Sequence, residues 1–507
     1  MITRLFSSVT SNMRSLVPEN LNGNILNVQY AVRGELAIKA ESLRDKLKAG
    51  DKTLPFPRVI SSNIGNPQQK GLDQKPITFV RQVAALTEWP ALAELAPGVF
   101  PPDVVARAKE LTDEIGSIGA YSHSQGVPFI RQNVARFIEG GFDANLCSSC
   151  WAYRNAERDG YPSDPNHIFL TAGASAGVSL LLSMLIQNPN SGVLIPIPQY
   201  PLYTATLAQF NGAPIPYYLD ERHGWSTSVE AVEAALKDAV TGGVEPKALV
   251  VINPGNPTGA LLDEATQEQL VKLCEEHSLV LLADEVYQVN LHKRTTHPFT
   301  SFKKMVSKLR SHVPLVSFHS TSKGVTGECG RRGGYFECTN FSEEILGLIY
   351  KMVSVGLCPP VSGQIGVDSM VRPPQEGDPS YSLWKAETDS IHTALAERTQ
   401  LMADRLNQLP GVTCVDSPGA LYLYPQITLS PEAQAAAHAQ GQEPDAFYAL
   451  RLLERTGICV VPGSGFGQEK GTWHYRVTCL CPGVEDYVTA LETFHREFEA
   501  EFKLGRD

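Results

Sequence analysis

Five times between residues 167 and 324 the chain repeats one local plan, a short β-rich apolar run, a polar turn carrying Gly or Pro, and a helical stretch. "HIFLT" runs into "AGASAG", "GVLIPI" into "PQYPLY", "ALVVIN" into "PGNPTG", "LVLLA" into "DEVY" and "PLVSFH" into "STSKG". Near-continuous apolar strands alternating with helices predict a mostly parallel sheet covered on both faces, since neither face is left polar enough to meet water. Ligands of such sheets bind beyond the carboxyl ends of the strands. The residues with chemistry to offer stand at those ends: Asn256, Asp284, Tyr287, Ser320, Ser322 and Lys323.

The rest of the chain sets the frame. Its 507 residues suggest two or three domains. From about residue 371 the texture changes: "VRPPQEGDPS" reads as a linker, a long helix is expected over 383–409, and shorter strands follow at "GALYLYP", "GICVVPG" and "HYRVTCL". This predicts a smaller α/β domain, completed by residues 25–90, of which 25–60 read as largely helical up to the stop at Gly50. The expected division is an extension over 1–24, an arm over 25–90, a large domain over 91–370 and a small domain over 371–507. A net charge of −11 disfavours nucleic acid as a partner, because phosphate backbones need a basic face. No run approaches 18 apolar residues, so no membrane helix is expected.

Two segments stand outside this plan. Residues 1–18 carry Arg4, Arg14, four serines and no acid, with Leu5, Val9, Met13 and Leu16 on one helical stripe. That composition suits a mitochondrial transit segment and equally a frayed start to a cytoplasmic protein. Residues 140–160 show neither helical nor strand period and hold Cys147 and Cys150 as a single C-x-x-C. A zinc site needs two more ligands at suitable spacing, so no metal is expected there and the stretch reads as a surface loop.

Taken together, the strand-end residues make a site for an anion and a ring. The small-residue turn "AGASAG" before "VSLLLSMLI" leaves free backbone N–H groups, where the helix dipole also favours negative charge. Ser320, Ser322 and the Arg331–Arg332 pair add hydroxyls and a guanidinium suited to phosphate. Adjacent residues on an extended segment point oppositely, so only one arginine is expected to reach it. A lysine beside a phosphate site, Lys323, can form a Schiff base with an aldehyde cofactor. Asp284 can sit against a protonated pyridine nitrogen, the alternative being a helix N-cap. Asn256 and Tyr287 can meet a ring oxygen, and Tyr200 offers either a flat face for a ring or a core aromatic.

The motifs "NPGNPTG", "LLADEVYQ", "SFHSTSKG", "GECGRRGGY" and "GICVVPGSGFGQ" resemble those of the class I/II pyridoxal phosphate (PLP)-dependent aminotransferases. "VQYAVRGE", "NIGNPQ", "ITFVRQV", "AYSHSQG", "IPIPQYPLY" and "GLCPPVSGQ" resemble the alanine aminotransferase branch, over about residues 25–500. The resemblance implies the fold type I architecture, PLP as cofactor, amino acids and 2-oxo acids as substrates, and a homodimer. It implies the reversible conversion of L-alanine and 2-oxoglutarate to pyruvate and L-glutamate. Residue by residue, it implies Lys323 as the Schiff-base lysine, Asp284 as the pyridinium partner, Asn256 and Tyr287 at the cofactor's 3-oxygen and Tyr200 stacked on the ring. Ala174, Ser175, Ser320, Ser322 and Arg332 are implied as phosphate ligands, joined by Tyr121 from the neighbouring subunit. Arg476, Asn256 and the backbone of Gly65 are implied to bind the substrate, Arg476 and Gly65 at its α-carboxylate. The stretch 140–160 looks like an insertion relative to that pattern. Competing expectations are a PLP lyase or decarboxylase on the same scaffold and a non-catalytic PLP-binding regulator, because fold alone does not fix the reaction.

Overall fold

The computed structural model describes residues 21–30, 34–72, 74–140 and 158–503. The candidate targeting stretch 1–18 and the Cys147/Cys150 pair lie outside the described residues. The five apolar runs form β1 (Ile168–Thr171), β2 (Ser191–Ile197), β4 (Glu245–Ile252), β5 (Val280–Asp284) and β6 (Leu315–Ser320). Two further strands complete a seven-stranded sheet, β3 (Ala213–Tyr218) and β7 (Gly334–Thr339), in the order β1-β7-β6-β5-β4-β2-β3. From β6 to β3 every pairing is parallel, and β7 alone runs against its two neighbours. The sheet is therefore mostly parallel, as the strand–turn–helix repetition predicts.

Alternation along the strands divides the sheet's two faces. Leu281 and Ala283 pack with Leu249, Val251, Leu270 and Met305 on one side. Leu282 packs with Val250, Val316, Val178 and Leu182 on the other. Each such side chain, fully withdrawn from water, contributes about 1.5–3 kcal/mol, which explains why a run like "LVLLA" holds no polar residue. Register then aligns the carboxyl ends: Asp284 sits opposite Ile252 on β4 and Phe318 on β6. The turns carrying Asn256, Tyr287 and Lys323 consequently leave the sheet at one edge.

The C-terminal unit has its own core of Met402, Leu406, Tyr448, Leu452, Tyr487 and Phe498 with further residues. It carries a small antiparallel sheet in the order β8 (Tyr422–Leu423), β10 (Tyr475–Thr478), β9 (Val461–Pro462). The N-terminal arm belongs with it: Ile60–Ser61 pairs in parallel with Ile458–Cys459, and the helix Glu35–Lys48 buries Ala40 and Leu43 against Leu453. The helical expectation for 25–60 was too broad. Among the described residues of this stretch only Glu35–Lys48 and one turn at Gly23–Leu26 are helical; the helix ends just before the stop expected at Gly50, and an Asp51–Thr53 turn with Pro55 and Pro57 keeps the following residues out of a helix. The long helix is Tyr381–Leu406; its start packs in the core beside the large sheet through Tyr381 and Trp384, and its end packs in the C-terminal core. The stretch 371–380 before it is anchored rather than free, with Pro373 and Pro374 buried and Arg372 paired to Glu110 at 2.8 Å.

Candidate active site

A cavity of about 450 Å³ opens where β4, β5 and β6 end. It is lined by Gly65, Ala174, Ser175, Tyr200, Asn256, Asp284, Tyr287, Ser320, Ser322, Lys323, Arg332 and Arg476, all expected from the sequence. Its charged lining is three cations, Lys323, Arg332 and Arg476, against one acid, Asp284, inside a chain of net charge −11. The local field therefore favours an anionic ligand that the overall charge would repel.

One end of the cavity is a cradle for an anion. The helix Ala174–Leu185 starts after Gly173, whose φ of +79° is open to glycine and strained for other residues. A Cβ there would also lie 2.3 Å from Arg332 Nη2. The small residues serve packing as well: a Cβ on Gly177 would stand 2.9 Å from the Phe336 ring, so the helix sits close on β7. Arg332 donates to Ala172 O at 3.0 Å, Cys329 O at 2.9 Å and Ser322 Oγ at 3.4 Å, tying the helix turn to the lysine loop. Ser320 Oγ lies 3.0 Å from Ser322 Oγ and accepts from the Ser322 N–H at 3.1 Å. Arg331 donates to Glu328 Oε2 at 3.1 Å and is absent from the cavity lining. The arginines part for a different reason than expected. Cys329–Arg331 form a 3-10 turn and Arg332 takes a left-handed φ of 56°, so no extended segment is involved.

The middle of the cavity holds the acid and the phenols. Asp284 is buried and accepts from Tyr203 Oη at 2.8 Å and the Val286 N–H at 3.4 Å. Burial pushes its carboxyl up to about 6, with the Tyr203 hydrogen bond and the charge of Lys323 opposing. A carboxylate held this way calls for a cation in the cavity. Asn256 Nδ2 lies 3.5 Å from Tyr287 Oη, which in turn is 2.9 Å from Tyr422 Oη. Burial raises the Tyr287 phenol well above its usual range, with Tyr422 adding to it. Burial also acts to raise Tyr422, but Lys323 and Arg476 outweigh it and lower that phenol. Tyr200 Oη is hydrogen-bonded to Tyr30 Oη of the N-terminal arm.

At the other end Lys323 Nζ donates to Gly65 O at 2.6 Å. A Cβ on Gly65 would fall 2.1 Å from Tyr422 Oη, so glycine is what lets the arm approach the lysine. Arg476, buried on β10, donates from Nη1 to Asn256 Oδ1 at 2.9 Å and from Nη2 to Asn63 O. Its guanidinium carbon lies 4.2 Å from the Tyr422 ring centre and 4.8 Å from that of Phe466. Its Nε is buried without a partner, and no carboxylate pairs with it among the described residues. A buried guanidinium without a counter-ion is costly, so its geometry suits an incoming carboxylate. Tyr121 is 80 % exposed and does not line this cavity.

Several contributors escaped the sequence reading. Tyr422 sits in "GALYLYP", which signals only a strand, and its place between Lys323 and Arg476 comes from the C-terminal unit folding back. Tyr203 lies three residues after Tyr200 on a helix start, a spacing that puts both near one face, yet nothing local says its hydroxyl meets Asp284. Tyr30 and Asn63 contact the site through the arm.

The residues present fit PLP: a helix-terminus cradle for the phosphate, a buried carboxylate for the ring nitrogen, phenol and amide donors for the ring oxygen, and an amine for the aldehyde. Sheet, cradle, acid and lysine together define the PLP-dependent transferases of fold type I. The model of the aminotransferase class I and II family matches residues 94–491. A probable mitochondrial alanine aminotransferase of Dictyostelium discoideum is 47 % identical over 505 residues, covering 97 % of this chain and 91 % of that protein. Glutamate–glyoxylate aminotransferase 1 of Arabidopsis thaliana is 44 % identical, covering 98 % of each. Among solved structures, an alanine aminotransferase from Pyrococcus furiosus superposes with a TM-score of 0.72 at 23 % identity, covering 94 % of this chain and all of that one, which speaks for the fold. The chain belongs to the class I and II aminotransferase family and is a PLP-dependent enzyme acting on amino acids and 2-oxo acids. Among the described residues no helix is long and apolar enough to cross a membrane and no side-chain cluster could hold a metal ion.

Proposed function

We propose that this chain is an alanine:2-oxoglutarate aminotransferase. The observation that carries the reading is the buried, carboxylate-free Arg476 facing the same cavity as Lys323, with Tyr422 touching both. The name of the Dictyostelium relative supports alanine as the amino donor. When bound, PLP supplies a ring that accepts the electron pair released at the substrate Cα.

In this reading Arg476 and Asn256 grip the α-carboxylate, with Gly65 lending its backbone. Ala174, Ser175, Ser320, Ser322 and Arg332 hold the phosphate, Tyr200 covers the ring, and Asn256 and Tyr287 hold the ring oxygen. With the cofactor bound, Lys323 Nζ would be the amine that meets its aldehyde, and as a free amine it would be placed to hold and move the Cα proton. Its contact with Gly65 O and the lowered Tyr422 phenol keep polar acceptors within reach of that amine. Asp284 would sit, ionised, toward the ring nitrogen of the bound cofactor and would stabilise charge that develops only as the Cα–H bond breaks.

The working unit in this reading is a homodimer in which the exposed Tyr121 reaches the neighbouring phosphate site. The compartment proposed is the mitochondrion, supported by the basic, serine-rich residues 1–18 and by the name of the Dictyostelium relative. A second acceptor, glyoxylate, is favoured by the Arabidopsis relative.

The test is a half-reaction series on purified holoenzyme. Alanine should convert the lysine-bound form and release one pyruvate per site, and 2-oxoglutarate should restore it with glutamate as product. Restoration by glyoxylate far faster than by 2-oxoglutarate would favour the second reading. Alanine that gives no pyruvate would overturn the first.

A further inference from the structure

Asp284 and Tyr287 are carried on one turn, and that turn is held from behind. The Glu285 N–H donates to Phe318 O at 3.1 Å, while its side-chain Oε1 accepts from the Phe302 N–H at 2.8 Å, and neither Glu285 nor Phe302 lines the cavity. Gln288, next to Tyr287, donates from Nε2 to Glu285 O at 3.1 Å. The Asn290 N–H donates to Tyr287 O at 2.8 Å, and Asn290 Oδ1 accepts from the Gly324 N–H at 2.8 Å, immediately after Lys323. One turn thus sets the acid, a phenol and the lysine loop together.

Another acceptor of that turn, Gln288 Oε1, is met by Arg158 Nη1 at 3.1 Å. Arg158 is no flexible reach from the surface. Its Nε and Nη2 pair with both carboxylate oxygens of Asp159 at 3.1 and 2.7 Å, and its guanidinium carbon stands 5.8 Å from the Phe137 ring centre. Asp159, 1 % exposed, is fixed in turn by Ser301 Oγ at 2.6 Å, and its N–H donates to Ile138 O at 3.2 Å. Burial works against the Arg158 charge, but Asp159 overcomes it and raises the guanidinium above its usual range. Neither residue touches the cavity. The expectation of an incidental surface loop over 140–160 therefore fails at its end, where two charged residues are built into the interior.

We infer that Arg158, clamped by Asp159, is a positioning residue for this enzyme: through Gln288 it fixes the 284–290 turn that presents Asp284 and Tyr287 to the cofactor and seats the Lys323 loop. The inference rests on the aminotransferase reading and deepens it. With Nε and Nη2 held on Asp159, the plane of the guanidinium and hence the direction of its Nη1 are fixed, so the turn is located by geometry as well as by charge. Misplacing catalytic groups by about an ångström costs about tenfold to a hundredfold in rate.

The experiment compares Arg158→Met, Gln288→Leu and parent as holoenzymes, each normalised to bound cofactor. Single-turnover conversion of alanine should fall about tenfold to a hundredfold in both variants while the alanine concentration at half-maximal rate changes little. The pH midpoint of the lysine-bound absorption should also rise, because a loosened Asp284 leaves less positive charge on the ring and the linking nitrogen keeps its proton longer. Gln288→Leu leaves the Arg158–Asp159 pair intact, so it carries the test if Arg158→Met does not fold. Rates per site and absorption midpoints equal to the parent's, whatever happens to thermal stability, would overturn the inference. A parent that fails to convert alanine sinks the functional reading instead, and the absorption midpoints then decide this one alone.

Discussion

Asp284→Asn separates catalysis from stability, because the structure assigns the carboxylate opposite effects on the two. Asparagine keeps the shape and can still accept from Tyr203 Oη, which stands 2.8 Å away. In the cofactor-free protein burial holds Asp284 at about 6 against an ordinary 3.8. That difference corresponds to about 3 kcal/mol spent on ionising the group where it sits. A protonated ring nitrogen at hydrogen-bond distance returns about 5 kcal/mol at an effective dielectric near 20, so the ion pair wins only when the cofactor is present. In the apo-protein the folded value is the raised one, so the stability associated with the protonated carboxyl is full below about pH 4 and lost as pH rises through about 6. Above that, the apo Asp284→Asn protein should be the more stable one, by up to about 3 kcal/mol. Its catalysis should move the other way: losing a buried charge partner costs about 3–5 kcal/mol, or ~10²–10⁴ in rate. The assays are calorimetry of the apo forms at pH 8 and single-turnover conversion of alanine by the loaded forms. If the loaded variant turns over as fast as the parent, Asp284 has no part in the barrier and the reasoning fails.

Lys323→Ala should still bind PLP through the phosphate cradle but lack the absorption of the lysine-bound form; a spectrum identical to the parent's would remove Lys323 from its role. Gly173→Ala should weaken cofactor affinity about tenfold or more, since it strains a φ of +79° and drives a methyl into Arg332; titration of the apo-protein with PLP reads this directly. Glu285, pushed up to about 8 by burial, loses its stabilising contribution as pH rises from about 4.5 through about 8. Glu285→Gln should therefore flatten the apo stability profile over that range in chemical denaturation, and an unchanged slope would count against it. Deleting residues 142–156 while keeping Arg158 and Asp159 should leave alanine turnover within a few-fold, and loss of activity would show that the inserted stretch itself is needed.

The chain's local chemistry determined a great deal. Apolar runs such as "LVLLA" carry no group that tolerates water on either face, so a covered, mostly parallel sheet followed from hydrophobicity alone, and turns at strand ends gathered Asn256, Asp284, Ser320 and Lys323 within one register. What tertiary structure decided is everything that depends on segments far apart in sequence. Tyr422 meets Lys323, and Arg476 reaches the same cavity, only because the C-terminal unit folds over the sheet edge, and Gly65 meets the lysine only because the arm pairs with Ile458–Cys459. The reversed strand β7 was invisible because direction is set by partners and leaves no mark on composition. Arg158 and Asp159 read as loop residues because burial of a charge depends on what surrounds it; Gln288 and Ser301, well over a hundred positions away, supply those surroundings. Short-range preference is written residue by residue, whereas pairing, burial and the electrostatics that follow from them exist only once the chain has closed on itself.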